Sequence, residues 1–318
     1  MSQKKSFGFI TDPLENFNRE AETSLFIMRE LFRRGHAIYS LEPKDLFLKQ
    51  NDLWAATKRI SLTDDPQNFY KIEEEKNLLV ESLDILFLRK DPPFDLNYLY
   101  HLLFLLPLEQ KVKMINAPSA LLKYNEKLCA LAFPFSPQTW TGSRLDLFCS
   151  WAAGFAEGVV VKTLNEAGGR DVYRVAKSEL KTAKTEAIVK KISDGEQRPF
   201  MAQEFLPAIK NGDKRILLWD EKILGAFVRK PKEGEFRANL HLGGEFSACE
   251  LTKRDLEIAA KVGAWAKKEK LPFVGFDLIG DYLTEINITS PMGIREINAL
   301  YGKQIEKEIV DYAEALTA

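Results

Sequence analysis

The sequence predicts an α/β protein with more than one domain, on three observations. Strand and helix patterns alternate over residues 6–116. The run at residues 83–88, which is apolar except for Asp84, is typical of a parallel strand that is buried on both faces. Residues 275–291 have the pattern of two strands joined by a turn at Gly280-Asp281. A chain of 318 residues is long enough for two or three domains.

The N-terminal region has the order expected for a doubly wound sheet. Residues 6–10 and 37–41 are predicted strands, and residues 21–34 between them are a predicted amphipathic helix. A strand at residues 83–88, a helix at 96–106 and a short strand at 113–116 follow. Ligands of such sheets bind beyond the carboxyl ends of the strands, and Asp12 and Arg89 both occupy that position.

Two further units follow, and the predicted domains are residues 1–122, 123–200 and 201–318. The second unit has a predicted helix that opens at residues 125–128, strands at 159–162 and 172–175 around a loop at 165–171, and a charged helix at 178–192. The third has predicted strands at residues 200–206, 215–219, 223–229, 274–279 and 283–288, and a helix at 253–268. Thr252 and Asp255 have the spacing of a capping box at the start of that helix.

Composition and charge exclude several classes of function. The net charge is −1, from 45 basic and 46 acidic side chains, so neither nucleic acid nor an anionic membrane is an expected partner. No stretch approaches the ~18 apolar residues of a membrane span. The three cysteines and three histidines show no disulfide or zinc-site spacing. We therefore expect a cytoplasmic protein with reduced thiols.

The second strand of the predicted hairpin carries candidate metal ligands. Since side chains alternate along a strand, four residues are predicted to share one face: Leu283, Glu285, Asn287 and Thr289. A carboxylate and an amide oxygen two residues apart suit a hard cation such as Mg²⁺, and Asp277 could add a second carboxylate. On its own, however, so short a pattern is more typical of the solvent face of an amphipathic strand.

Candidate phosphate ligands precede this hairpin in the chain. Lys162 ends an apolar strand, just before a loop that contains Gly168 and Gly169. Glycines let backbone N–H groups approach phosphate oxygens, and a lysine adds a positive charge. The alternative is an ordinary turn beside a lysine with a solvated ammonium, since the spacing is neither a P-loop nor a dinucleotide-binding motif. The backbone of residues 203–207 could hydrogen-bond an adenine edge.

Arg215, Arg229 and Arg237 lie in one stretch of predicted strand and loop. Guanidinium groups bind carboxylates and phosphates bidentately, so these arginines are candidates for holding anionic substrates. Arg237 falls within residues 234–244, whose glycine-rich and charged composition is typical of a mobile lid. The alternative for all three is an ordinary surface salt bridge.

These segments occur in an informative order. They are Asn125-Glu126-Lys127, Val161-Lys162, Gly168-Gly169, the sequence AQEFLP at residues 202–207, GDKR at 212–215, Arg237-x-Asn239, Gly243-Gly244 and LTEINITSP at 283–291. With them, and with Asp12-Pro13 and RKDPPFD at residues 89–95, the chain resembles the bacterial glutathione synthetases of the ATP-grasp superfamily. The match covers essentially the whole chain, and RKDPPFD and LTEINITSP are its most specific parts.

The resemblance implies an α/β (α+β) ATP-grasp fold, in which a Rossmann-like, doubly wound N-terminal domain precedes a two-lobed ATP-grasp module. It implies ATP as co-substrate, Mg²⁺ or Mn²⁺ as the metal, and a homotetramer or dimer. It also implies a two-step reaction. The carboxylate of γ-glutamylcysteine attacks the γ-phosphate of ATP to form an acyl-phosphate, and the amine of glycine then displaces phosphate.

The resemblance also implies roles for individual residues. The implied ATP-binding residues are Lys127, Lys162, Gly168, Gly169, Gln203, Glu204, Phe205, Leu206 and Asp213. The implied metal ligands are Asp277, Glu285 and Asn287. Arg215, Arg229 and Arg237 are implied to be catalytic, and Asp12, Arg89, Asn239 and Ser290 to bind the substrate.

The phosphate loop departs from the family pattern, which is Lys-Pro followed by Asp-Gly-x-Gly-Gly. Here Thr163 replaces the proline and Glu166 replaces a glycine of the loop. In the predicted lid, Ala238 stands where the family usually has glycine. Glu166 is expected to bring negative charge towards the phosphates unless Arg170 or the metal compensates. Two alternatives therefore remain: another ATP-grasp peptide ligase with altered substrates, and a catalytically impaired nucleotide- or peptide-binding relative.

Overall fold

Three β-sheets organise the chain in a computed structural model, which describes residues 4–65, 68–240 and 243–316. Residues 241 and 242 of the predicted lid lie outside the described residues. Within the described part of the chain, no helix is long and apolar enough to cross a membrane.

The N-terminal sheet has seven strands. They are β1 (Ser6–Ile10), β2 (Ala37–Leu41), β3 (Leu46–Lys49), β4 (Asp52–Leu62), β5 (Tyr70–Leu79), β6 (Ile85–Leu88) and β7 (Lys113–Ile115). The strands β2, β1, β6 and β7 are adjacent and parallel, as the doubly wound pattern predicts. The helices of this region are α1 (Thr23–Arg33), α2 (Leu96–Leu105) and α3 (Pro118–Lys123).

The antiparallel hairpin of β4 and β5 is absent from the sequence-based prediction. The strand β5 has the sequence YKIEEEKNLL and contains no buried residue, so it lacks the apolar alternation that indicates a strand. Its partner β4 buries Leu53, Ala55 and Ile60, and the backbone pairing with β4 makes β5 a strand.

The central lobe has a four-stranded antiparallel sheet in the order β10-β9-β11-β8. Its strands are β8 (Thr139–Gly142), β9 (Val159–Thr163), β10 (Val172–Val175) and β11 (Phe200–Glu204), and its helices are α4 (Leu145–Ala152) and α5 (Ala183–Ile192). Because β11 pairs with both β8 and β9, this sheet extends to Glu204, past the predicted boundary at residue 200.

Two helix predictions around this lobe need correction. Residues 125–128, predicted to open a helix, form a turn in which the Asn125 side chain accepts hydrogen bonds from the N–H groups of Lys127 and Leu128, and only a short 3-10 helix follows, at Cys129–Ala132. The helix predicted at residues 178–192 begins at Ala183, where the hydroxyl of Thr182 caps it.

The C-terminal sheet has five antiparallel strands in the order β14-β13-β12-β15-β16. They are β12 (Asp213–Trp219), β13 (Lys222–Lys230), β14 (Glu245–Ser247), β15 (Phe273–Ile279) and β16 (Tyr282–Asn287). The helices are α6 (Lys253–Lys268), α7 (Ile294–Tyr301) and α8 (Ile305–Ala315). The capping box of Thr252 and Asp255 is present, and α6 has its predicted bounds.

The hydrophobic cores show which parts of the chain pack together. One core contains Leu86 of the N-terminal sheet with Phe276 and Ile286 of the C-terminal sheet, and a second core also spans both sheets. The side chain of Asn116 donates to the carbonyls of Phe273 and Ile288, both at 2.7 Å, and ties the two regions together. The central lobe has a core of its own.

Candidate active site

A cleft of about 640 Å³ lies between the central lobe and the C-terminal sheet. All the site residues predicted from the sequence line this cleft, except Asp12 and Arg89. The prediction therefore brings together residues that are separated by up to 163 positions in the chain, from Lys127 to Ser290.

The register of the C-terminal sheet aligns the predicted metal ligands. Arg215 on β12 lies opposite Asp277 on β15, and Asp277 lies opposite Glu285 on β16, so the three form a row across the sheet. The amide nitrogen of Asn287 is 3.3 Å from Asp277 Oδ2. Leu283 does not share this face, contrary to the prediction. A register shift between Asp277 and Leu278 turns it into the core, where it is fully buried.

Two arginines hold the carboxylate of Asp277. Arg215 donates from Nε to Oδ1 at 2.6 Å and from Nη2 to Oδ2 at 2.7 Å, and Arg229 Nη2 lies 3.0 Å from Oδ2. Burial alone would raise the pKa of Asp277, but the charges of Arg215 and Arg229 outweigh it and hold the pKa well below the usual range. Arg229 also donates to Asp213 at 2.6 Å, and burial raises the pKa of Asp213.

The donor set fits a hard divalent cation. Asp277 and Glu285 supply carboxylate oxygens and Asn287 supplies an amide group, all along one cleft wall. Asp277 Oδ1 accepts a hydrogen bond only from Arg215 among the described residues, so it retains capacity for a metal.

Two buried lysines face this wall. Lys127 Nζ lies 3.3 Å from Glu285 Oε1 and also donates to the backbone carbonyl of Glu166. Lys162 Nζ donates to the carbonyl of Thr284 at 3.4 Å. Burial lowers the pKa of Lys162 to about 8, and the charge of Lys127 acts in the same direction. Two ammonium groups beside a carboxylate pair can bind a metal-bound polyphosphate.

The predicted phosphate loop has the backbone that its glycines allow. Gly168 and Gly169 have φ values of +69° and +75°, a region that favours glycine. From the lid, Arg237 Nη1 donates to the Gly169 carbonyl at 3.2 Å, and Glu235 holds the same guanidinium at 2.7 Å. The predicted lid and the glycine loop thus meet at the cleft.

The glycine loop also contacts the N-terminal domain. The carboxylate of Glu166 is paired with Arg170, which also donates from Nη2 to the Pro92 carbonyl at 3.0 Å. The N–H of Phe94 donates to the Asn165 carbonyl at 2.8 Å. The loop therefore rests on the segment that contains RKDPPFD.

The segment predicted to bind adenine lies at the end of β11. The N–H groups of Glu204 and Phe205 donate to the carbonyls of Gln138 and Gly158, at 3.0 and 3.1 Å. These two donors are committed within the protein, so an adenine bound at this predicted segment would need other backbone groups.

Asp12 and Arg89 lie together at the carboxyl ends of β1 and β6, as predicted, but not on the cleft wall. Asp12 pairs with Lys90 at 2.9 Å and accepts the N–H of Asp91 at 3.0 Å. Arg89 is 3% exposed, and its Nε donates to the hydroxyl of Ser24 at 3.1 Å.

Comparison with protein families decides the assignment. The family model of the prokaryotic glutathione synthetase N-terminal domain matches residues 6–121, and that of the prokaryotic glutathione synthetase ATP-grasp domain matches residues 126–302. The chain belongs to the prokaryotic glutathione synthetase family.

Curated members of the glutathione synthetase family match at nearly full length. The glutathione synthetase of Coxiella burnetii is 35% identical over 311 residues, which are 96% of this chain and 95% of that protein. The glutathione synthetase of Vibrio cholerae is 36% identical over 310 residues, 96% of each chain.

Solved structures of an ATP-grasp ligase and of another synthetase share the fold of this glutathione synthetase family member. The ATP-grasp ligase PsnB complexed with a minimal precursor has a TM-score of 0.64 at 15% identity, over 98% of this chain and 99% of that chain. D-alanyl-alanine synthetase A from Vibrio cholerae has a TM-score of 0.61 at 13% identity, over 99% and 98%. They confirm the predicted ATP-grasp fold class.

Sequence reasoning missed one residue that builds the site of this glutathione synthetase family member. Glu126 Oε1 accepts hydrogen bonds from Ile288 N at 2.8 Å and from Thr289 N and Oγ1 at 2.9 and 2.8 Å. Glu126 thus fixes the chain just after β16, where the predicted metal ligands lie, from a turn 162 residues earlier. Because Glu126 and Thr289 are 163 positions apart in the sequence, no local sequence pattern predicts their contact.

Proposed function

We propose that this chain is an ATP-dependent ligase that joins γ-glutamylcysteine to glycine through an acyl-phosphate and releases ADP and phosphate. The observation that carries this proposal is the row of Arg215, Asp277 and Glu285, which faces Lys127 and Lys162 in one cleft. Phosphoryl transfer to a carboxylate requires positively charged groups that bind the phosphates and carboxylates that bind a metal ion.

The chemistry assigns a role to each group. A carboxylate is a poor electrophile until it is phosphorylated, and the phosphoryl transfer needs positioned cations rather than a protein nucleophile. We assign Lys127, Lys162 and the backbone of Gly168-Gly169 to the ATP phosphates, and Arg215 and Arg229 to the acyl-phosphate. Arg237, in the lid, would help to exclude the water that hydrolyses this intermediate.

For the remaining predicted residues, we assign the adenine and ribose of ATP to residues 203–206 and Asp213. Asn239 and Ser290 are assigned to the peptide substrate, because both line the same cleft. Asp277, Glu285 and Asn287 would hold Mg²⁺ or Mn²⁺. A bound metal would act as a Lewis acid on the transferred phosphoryl group.

The cellular location, the oligomeric state and the domain bounds are also proposals. We propose a cytoplasmic homo-oligomer, a tetramer or dimer, because the family resemblance implies one. We further propose three functional units close to residues 1–122, 123–204 and 205–318, the second boundary following the pairing of β11. Light scattering coupled to size-exclusion chromatography tests the oligomer, and a monomeric mass would contradict it.

A substrate-omission assay tests the ligase proposal. ADP release is measured with ATP, Mg²⁺, γ-glutamylcysteine and glycine, each omitted in turn, and the product is weighed by mass spectrometry. We expect ligation only in the complete mixture, with a product mass equal to that of both substrates less one water. The absence of ADP above background in the complete mixture would refute the proposal.

Two alternatives have their own tests. For a ligase with altered substrates, a screen of acyl donors and acceptor amino acids would reveal a pair preferred over γ-glutamylcysteine and glycine. For an impaired relative, calorimetry would show tight binding of ATP and Mg²⁺ without turnover. The ion pair between Glu166 and Arg170 favours an active loop over an impaired one, because it offsets the unusual negative charge.

A further inference from the structure

The outer face of α2 is apolar although it is exposed. The inner face of this helix packs into the protein core through three residues: Tyr98, Leu102 and Leu105. The outer face presents Leu96, Tyr100 and Leu103 at helical spacing, and these residues are 67%, 54% and 44% exposed. Leu106, in the short 3-10 helix that follows, is also exposed. A helix that is apolar on both faces is normally buried on both faces.

No charged side chain interrupts this face. Residues 96–108 have the sequence LNYLYHLLFLLPL, which contains no Asp, Glu, Lys or Arg. By contrast, α8 exposes Lys307 and Asp311, and α6 exposes Lys253 and Glu257. Because the outer face of α2 has no basic residue, it is poorly suited to an anionic membrane. It fits another apolar protein surface.

The strand β3 extends this apolar face. It lies at one edge of the N-terminal sheet, and α2 packs against it. Leu46 of β3 is buried in the same core as Leu102 of α2. Since side chains alternate along a strand, Leu48 lies on the same side of the sheet as Leu46, and it is exposed. Leu48 therefore borders the outer face of α2.

The combined surface, which we call the α2 surface, is large enough for a subunit interface. It consists of five exposed residues: Leu48, Leu96, Tyr100, Leu103 and Leu106. Their exposed parts amount to about 500 Å², more than half of the roughly 800 Å² that each partner buries in a standard interface. A contiguous apolar patch of this size usually marks an interaction site.

The α2 surface is also complementary to itself. In a twofold-symmetric interface, the same patch of each subunit meets the other. If two α2 helices pack antiparallel and cross near residue 101, Leu96 lies against Leu106 of the partner subunit, and Tyr100 lies against Leu103 of the partner subunit. Both contacts are apolar, and the antiparallel arrangement also places opposite ends of the helix dipoles side by side.

We propose that the α2 surface is a twofold interface between two copies of this chain. The inference rests on the homo-oligomer proposed above and assigns a surface to it, and it does not depend on the ligase reaction. None of the five residues of the α2 surface lines the cleft, so the interface is separate from the proposed catalytic residues.

Analytical ultracentrifugation of the full chain over a range of concentrations tests the interface. Leu96→Glu/Leu103→Glu is expected to halve the mass of the oligomer and to raise its dissociation constant at least about a hundredfold, because each copy would bury two carboxylates against apolar side chains. Leu256→Glu is the matched control, since Leu256 is a leucine of similar exposure on α6, and it should keep the wild-type mass. Circular dichroism checks that each variant is folded.

A cross-link tests the interface without added charge. Leu103→Cys places a thiol near the twofold axis, so a short bismaleimide should join two copies into a covalent dimer. Leu256→Cys and the wild-type protein, which has three cysteines of its own, are the controls and should remain unlinked. If Leu96→Glu/Leu103→Glu does not fold, the absence of a cross-link through Leu103→Cys would overturn the proposal.

The remaining outcomes separate this interface from the proposed function. If the wild-type protein is an oligomer and the folded glutamate variant keeps its mass, the interface is wrong while the oligomer stands. If the wild-type protein is a monomer at every concentration, both are wrong. A monomer that binds phosphatidylcholine vesicles only while the α2 surface is intact would assign this surface to lipid instead. The substrate-omission assay decides the ligase reaction independently.

Discussion

Arg170 places its Nε 3.0 Å from Glu166 Oε2 within the glycine loop. Glu166 occupies a position where the family pattern has glycine, so an unpaired carboxylate there would repel the phosphates of ATP. The ion pair directs this charge towards Arg170, while the backbone carbonyl of Glu166 accepts a hydrogen bond from Lys127. Arg170 thus offsets, within the same loop, the negative charge that Glu166 adds.

The first prediction concerns this compensation. Arg170→Met should raise the KM for ATP about two- to fivefold, because a partly exposed ion pair contributes up to about 1 kcal/mol. Adding Glu166→Gln should restore it, which a double-mutant cycle on KM measures. Arg144→Met is the control, since Arg144 forms an exposed ion pair with Asp146 away from the cleft. An equal KM in the single and double variants would show that Glu166 does not act on the nucleotide.

The second prediction concerns pH. Burial holds the pKa of Lys162 at about 8, so the free protein loses this positive charge as the pH rises through 8. Phosphate binding favours the ammonium, so the Kd for a non-hydrolysable ATP analogue with Mg²⁺ should rise about tenfold from pH 7 to 9. Calorimetry measures it. Lys162→Arg should flatten the profile, and a flat wild-type profile would contradict the assignment.

The third prediction concerns the metal. Glu285→Ala should lower metal-dependent ADP formation at least about a hundredfold, because the Lewis-acid contribution amounts to several kcal/mol. Stability should change little, since Glu285 is only partly buried. Asp281→Ala, in the exposed turn of the same hairpin, is the control and should keep its Mg²⁺ dependence. Loss of the folded circular dichroism spectrum in Glu285→Ala would instead make Glu285 a structural residue.

The fourth prediction concerns Glu126. Glu126→Ala should lower the free energy of unfolding by about 2–5 kcal/mol, because it leaves the buried donors of Ile288 and Thr289 unsatisfied. Glu126→Gln keeps an acceptor oxygen and should cost less than half as much. Urea unfolding measures both variants. Equal losses would mean that packing, rather than hydrogen bonding, sets the contribution of Glu126.

Local sequence signals predicted most of the fold. The bounds of α6 agree with the prediction at both ends, because the capping box and the apolar period act within one or two turns. The strand β5 was missed because its stability comes from pairing with β4 and not from its own side chains. The inward turn of Leu283 was missed because a register shift interrupts the alternation along β16.

In the candidate site, too, some features could be predicted from the sequence and others could not. Residue types that bind phosphate and metal could be predicted from short motifs, and those residues converge on one cleft. Their partners could not be predicted, because Glu126 and Thr289, or Asn116 and Phe273, meet only after the chain folds. Likewise, Arg89 Nη1 has no hydrogen-bond partner within the described part of the chain because of how the folded chain packs, which no local sequence pattern predicts.

The separate core of the central lobe has a mechanical consequence. Two chain segments connect this lobe to the rest of the protein, residues 133–138 and 205–212, and they are tied together where Gln138 N donates to Glu204 Oε1 at 2.8 Å and Glu204 N donates to Gln138 O at 3.0 Å. Rotation of the lobe about this crossing as a hinge would move the segment proposed to bind adenine least and the glycine loop most. A bound nucleotide base could keep its contacts while the phosphate end opens. The contacts of Asn165 and Arg170 with residues 92–94 would be among those that each opening has to break, with the contacts of Lys127 and Arg237 to the same loop.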